Sequence, residues 1–226
     1  MSKEAKILTV FFVVVALSAG NLWAEIIEIN ITAEITGVDD PDGLLNGQLS
    51  VGSIISGSYI YDSDTPDSSP APDYGRYLHY SPPYGISLSG GGFTFQTDPD
   101  NVEFLVGIAN GYIGIEDGYL LRSYNNLPLY DNVSVGHISW QLDDSTGTAL
   151  SSTALPTTPP VLEDWDGDWG IRITGGIPDE HGKFMESFLI EAPVTYVIPE
   201  PATVLLLALG SLALRRRPRY STRLRN

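Results

Sequence analysis

Residues 25–36 read EIIEINITAEIT, in which Ile27, Ile29, Ile31, Ala33 and Ile35 alternate with Glu28, Asn30, Thr32, Glu34 and Thr36. A period of two puts every apolar side chain on one face of an extended chain and every polar one on the other. A helix would scatter the same residues around its circumference. Similar short pieces follow: LLNGQLSVG, IISGSYIYD, RYLHY, GISLS, FTFQT, VEFLVGIAN, YIGIE, YLLRS, NVSVGHISWQL, WGIRITG and KFMESFLIEAPVTYV. Turn-forming clusters separate many of them, among them GVDDPDG, SPPY, GGG and DPDN. No helical stripe is visible between residues 25 and 196. Roughly ten to twelve strands with turns about every 8–12 residues predict an all-β fold, a jelly-roll-like β-sandwich.

The pattern also proposes a core. Leu45, Leu49 and Val51 share one face of their segment, as do Ile55, Tyr59 and Tyr61, and later Phe184, Phe188 and Ile190. Asn110-Gly111 is the strongest short hairpin signal. Residues 143–170, rich in Ser, Thr, Pro and Asp, read as a long loop over one end of the sandwich. No repeat of fixed period appears, which argues against a propeller or solenoid.

The chain has no cysteine, so disulfides, thiolate metal sites and cysteine nucleophiles are excluded. Its net charge is −16, unevenly spread. Of 28 acidic residues, only Glu4 and Glu200 lie outside 25–198, where the basic residues are Arg76, Arg122, Arg172 and Lys183. So negative a surface repels nucleic acid and anionic lipid.

The two ends are different in kind. The chain opens MSKEAKILTVFFVVVALSAGNLWAE: Lys3 and Lys6, an apolar run from Ile7 to Leu17, then small residues. This is the plan of a secretory signal peptide, residues 1–24, forming a signal helix, with Ala19 or Ala24 as the residue before the cut. Near the other end, Ala202 to Leu214 is apolar and is followed by Arg215, Arg216, Arg217 and Arg219. A helix of that run spans about 20 Å at ~1.5 Å per residue, short of the ~30 Å hydrocarbon core. It predicts a short, marginal membrane helix whose arginines stay cytoplasmic and leave the acidic domain outside.

Pro199-Glu200-Pro201, then a helix rich in Leu, Gly and Ala, then an arginine cluster at the chain end together resemble a PEP-CTERM protein-sorting signal, over residues 197–219. The resemblance implies a Gram-negative bacterium that makes extracellular polysaccharide. It also implies an exosortase, a membrane transpeptidase-like partner that recognises Pro199, Glu200 and Pro201 and releases or transfers the protein. The remaining residues, 220–226, would form a cytoplasmic tail. Residues 25–196 form the ectodomain, which looks like those of other PEP-CTERM proteins and brings no activity with it.

Catalytic patterns are absent. Nucleophilic hydrolysis needs a base beside the nucleophile, and His79, His137 and His181 sit in no such context. Their spacing makes no zinc motif, and Gly90-Gly91-Gly92 is a turn rather than a phosphate loop. Asp164, Asp166 and Asp168 alternate as calcium ligands do, but Trp169 and Gly175 stand where an EF-hand needs glycine and glutamate. The acidic clusters Asp39, Asp40 and Asp42, and Asp62, Asp64 and Asp67, would serve a calcium ion equally, and all of them read more simply as solvated loops, so no cofactor is expected and calcium is the one the pattern allows. Tyr74, Tyr77, Tyr80 and Tyr84, with Trp165 and Trp169, are the candidate glycan-stacking aromatics. Any two of many acids can be paired on paper, so a glycosidase needs a measured separation.

The sequence therefore predicts an exported, non-enzymatic surface or secreted protein, held for a time at the inner membrane and then associated with extracellular polysaccharide. Its partners are the secretion translocon, signal peptidase, an exosortase and a polysaccharide, with no nucleic acid. The rival readings are a carbohydrate-binding module, with or without calcium, and a glycan-active enzyme.

Overall fold

A computed structural model describes residues 26–112, 114, 116–130, 132–181 and 188–199. The signal helix of 1–24, the membrane run from Ala202 and the arginine cluster lie outside them. Among the described residues no helix is long and apolar enough to cross a membrane.

The strands are β1 (Ile26–Glu34), β2 (Gly37–Asp39), β3 (Ile54–Asp62), β4 (Tyr74–His79), β5 (Gly85–Gly90) and β6 (Phe93–Gln96), then β7 (Phe104–Tyr112), β8 (Glu116–Ser123), β9 (Ser134–Asp144), β10 (Gly167–Gly176), β11 (Phe188–Ala192) and β12 (Val194–Pro199). They form two antiparallel sheets, one ordered β12-β1-β3-β5-β6 and the other β2-β11-β10-β9-β8-β7-β4. The chain is thus all-β, and β1 buries its alternate isoleucines as its period requires.

The sheets face each other across one core. Trp140 of β9 and Tyr59 of β3 are both fully buried, with ring centroids 6.1 Å apart. The Tyr59 and Tyr119 hydroxyls, one from each sheet, meet at 3.0 Å, so two buried polar groups satisfy each other. Tyr61 joins this layer, stacked on Tyr59 at 6.0 Å, its hydroxyl donating to the Pro156 carbonyl. Inside the first sheet, β3 and β5 approach closely at Gly57, where a Cβ would stand 1.9 Å from the Ser87 carbonyl oxygen.

Two local expectations are corrected. LLNGQLSVG is a succession of turns instead of a strand. Gly43, Asn46, Gly47 and Gly52 all have positive φ, which breaks any extended run. The Asp40 carboxylate accepts the Leu44 and Leu45 N–H groups at 2.7 and 2.8 Å, and the turns drop Leu45 and Leu49 into the core while Val51 stays exposed. At Asn110-Gly111 the hairpin is real but the turn is displaced. β7 continues through a bulge at Gly111 (φ 71°) to Tyr112 before β8 returns. The stretch between β9 and β10 is loop apart from a 3₁₀ turn at Leu162–Asp164, and it contributes Leu155 to the core.

Candidate functional site

The described chain ends inside the sorting motif. β12 is the edge strand of the five-stranded sheet and pairs antiparallel with β1, Val197 opposite Ile31, Ile198 opposite Asn30 and Pro199 opposite Ile29. Proline at the last position of an edge strand costs no ladder hydrogen bond that a neighbour needs. The Asp168 carboxylate of β10, in the other sheet, accepts the Val194 N–H at 3.1 Å and pins the start of β12. No spacer separates the folded domain from Pro199-Glu200-Pro201.

The four tyrosines singled out from the sequence do not form one platform. Tyr77 points into the core, its hydroxyl donating to the Thr153 carbonyl at 2.7 Å. Tyr84 is partly buried against His79 at 5.0 Å, and its hydroxyl reaches Asp62. Tyr80 is exposed beyond the end of β4. Tyr74 lies on the outer face of the seven-stranded sheet, because alternation along β4 turns it away from Tyr77.

Sequence reasoning missed what surrounds Tyr74 there. On this face Tyr74 stands opposite Ala109 of β7, which stands opposite Gly118 of β8, which stands opposite Asp143 of β9. In the next row Arg76 faces Gly107, then Leu120, then Gln141. The small residues Gly107, Ala109 and Gly118 thus make a low trough in the sheet face, and it is filled, since all three are buried. The Tyr74 phenol leans into it, its oxygen 2.5 Å from where a Cβ on Gly107 would be. Tyr112 packs on Tyr74 at 5.9 Å and is exposed. Burial raises the Tyr74 pKa, Tyr124 adds to that rise, and Arg76 and Arg122 oppose it.

The far side of the trough carries Trp169. It sits at the bulge between Asp168 and Gly170 in β10, which swings it onto the outer face with 72% of its surface exposed. Its indole N–H donates to Asp143, which also accepts the Gln141 amide at 2.9 Å. On the β8 side the Arg122 guanidinium lies 6.0 Å from the Tyr124 ring, within cation–π range.

The predicted calcium set does not assemble. Among the described residues no group of three or more His, Asp or Glu is placed to hold a metal ion. Asp166 accepts the Ser145 N–H and hydroxyl, which lowers its pKa. Asp168 instead accepts the Gly170 N–H at 2.7 Å and the Trp140 indole N–H as well as Val194. Asp164 ends the 3₁₀ turn. Asp164 and Asp166 line one surface cavity with Asp144 and Glu163, while the bulge after Asp168 turns that carboxylate to Gly170, Trp140 and Val194.

One carboxylate pair does face inward together: Asp117 and Asp144 are opposite each other across β8 and β9, and both are buried. Both are engaged with the loop. Asp144 accepts the N–H groups of Thr146, Thr148 and Ala149 at 2.7–2.9 Å, which holds its pKa well below the usual carboxylate range. Asp117 accepts the Leu150 N–H at 2.7 Å. Asp144, so stabilised as its anion, is a poor general acid, and the other Asp117 oxygen is buried without a hydrogen-bond partner. His79 is buried among Tyr61, Tyr84 and Phe104, and burial lowers its pKa. Its Nε2 accepts the Asp62 N–H at 3.1 Å, so that nitrogen carries no proton.

An acidic all-β domain whose last strand runs straight into a Pro-Glu-Pro, apolar and arginine sequence defines an exported protein addressed through its C-terminus. Residues 197–219 match the family model of the PEP-CTERM protein-sorting motif, and the chain therefore carries a PEP-CTERM sorting signal. That motif marks export, a C-terminal membrane anchor before cleavage, and processing by an exosortase towards the surface. No curated protein and no solved structure matches the chain.

Proposed function

We propose that this protein is a non-enzymatic, jelly-roll-like β-sandwich ectodomain that its C-terminal signal delivers to the cell surface or medium, where it associates with the extracellular polysaccharide matrix. The observation that carries the reading is the sorting motif at 197–219, fused to the last strand without a linker. The signal peptide of residues 1–24 takes the chain through the translocon and is removed by signal peptidase. The marginal helix after Pro201 then holds the domain at the inner membrane while the exosortase acts. The large net negative charge keeps such a domain soluble once released.

The experiment is fractionation of the native host expressing either the native protein or a variant with Glu200→Ala and Pro201→Ala. The native protein is expected at the surface and in the medium, and the variant is expected to stay at the inner membrane. An unchanged distribution would overturn the sorting role of the motif.

A second reading, a carbohydrate-binding module, is favoured by the exposed rings of Tyr112, packed on Tyr74, and of Trp169 on the same sheet face. Exposed aromatic rings on a flat sheet face offer stacking surfaces at little entropic cost. The engaged carboxylates Asp117 and Asp144 favour binding over hydrolysis.

A further inference from the structure

The arginines of this domain are not scattered. Between residues 25 and 198 the sequence holds Arg76, Arg122, Arg172 and Lys183 against nearly all of its acids. Arg76, Arg122 and Arg172 all stand on the outer face of the seven-stranded sheet. Arg76 is opposite Gly107, while Arg122 is opposite both Leu105 and Ser139, and Ser139 is opposite Arg172. Arg172 pairs with Glu191 at 4.0 Å. Among the described residues Arg76 and Arg122 make no ion pair, and the Arg122 Nε is buried without a hydrogen-bond partner. In a chain so rich in carboxylates, cations that function only in folding would be expected to find partners. These two instead flank the glycine and alanine floor beside Tyr74.

We infer that this face is the binding site for an acidic polysaccharide, a chain of uronate-type sugars. Its Tyr74, Tyr112 and Trp169 rings stack on sugar faces, and Arg76 and Arg122 pair with sugar carboxylates. The inference rests on the carbohydrate-binding reading and adds the ligand's charge. Arginine's planar fork matches a carboxylate with two parallel hydrogen bonds, and partial burial strengthens such pairs. Gly107 lets the Tyr74 ring lie flat on the sheet, so the surface offered to a sugar here is that ring, with Tyr112 beside it and Trp169 across the face. The domain's overall negative field does not forbid an anionic chain. At physiological ionic strength charges beyond about 8 Å are largely screened. Asp143, opposite Gly118, also stands on this face, but its carboxylate is engaged by the Trp169 indole N–H and the Gln141 amide, whereas Arg76 and Arg122 make no ion pair among the described residues.

The test is affinity electrophoresis of the exported protein through gels containing polygalacturonate, or containing neutral dextran as control. Polygalacturonate is expected to retard the native protein, and dextran is not. Arg76→Gln and Arg122→Gln should each weaken retardation roughly tenfold, as expected for a lost charge-assisted pair. Added salt should weaken binding of the native protein more than that of the double variant. Trp169→Ala should weaken binding without changing the salt dependence. All these side chains reach the surface, and unchanged thermal unfolding verifies that each variant is folded. Absence of retardation in the native protein, or retardation that survives both arginine substitutions, would overturn the proposal. Equal retardation by dextran would overturn the acidic specificity and leave a neutral-glycan module. A protein found on the surface that ignores polygalacturonate defeats this inference alone, whereas one retained full-length at the inner membrane defeats the matrix reading instead.

Discussion

Pro199, the first residue of the Pro-Glu-Pro motif, is paired with Ile29 in the five-stranded sheet. The sorting signal and the fold therefore share residues. Ile29 belongs to the first strand, so the first and last strands of the domain close its edge together.

Removing β12 should destabilise the domain. A chain ending at Pro193 loses buried Val194, the contact of Val197 with the core, the Asp168 pin and the ladder to β1. Compared with a chain ending at Pro199, the expected loss is on the order of 3 kcal/mol, from one buried aliphatic side chain and several hydrogen bonds. Urea unfolding of the two chains measures it, and equal midpoints would show that β12 is only loosely attached.

His79 should make the domain acid-sensitive. Burial, above all, lowers its pKa from 6.5, so the unfolded chain takes up the proton first as the pH falls. Stability is full above about pH 6.5 and declines as the pH drops through and below it, because the neutral form is the one the fold accepts. Asp62 and Thr65 face the ring's Nε2, and Tyr84 covers it. His79→Gln should flatten the dependence of unfolding midpoint on pH between about 7 and 5. A native-like slope in that variant would assign the effect to another group.

Asp144 acts in the same direction at lower pH. Hydrogen bonds from the Thr146 side chain and from the Thr148 and Thr146 N–H groups depress its pKa below 3.8. It stabilises the fold above that value, and the contribution fades as the pH falls further. Asp144→Ala should free the N–H groups of Thr146, Thr148 and Ala149, speeding their hydrogen exchange and lowering the unfolding midpoint. Unchanged exchange in this loop would mean that other contacts hold it.

The strands were legible wherever alternation was strict, as in β1, and wherever turn residues bracketed it, as around β5 and β6. Residues 44–52 misled because Leu45 and Leu49 have strand-like spacing, and only the positive-φ residues among them betray the turns. Strand order was not legible: nothing local in either sequence says that β12 pairs with β1. The binding face was hidden for the same reason. Tyr74 was noticed, but Gly107, Ala109 and Gly118 become a floor only once the register sets them side by side, and Trp169 reaches that face only through a bulge. Spacing along the chain did not tell that Asp168 would part from Asp164 and Asp166, because a bulge turns it to Gly170 and Val194.

The most direct test of the account is intact-mass spectrometry of the native protein recovered separately from medium and membranes. The account predicts a released form that lacks the signal peptide and the arginine-rich end, yet retains the chain through Pro199, so that β12 stays in the sheet. A full C-terminus found only in membranes would contradict it, as would a released form cut before Val194.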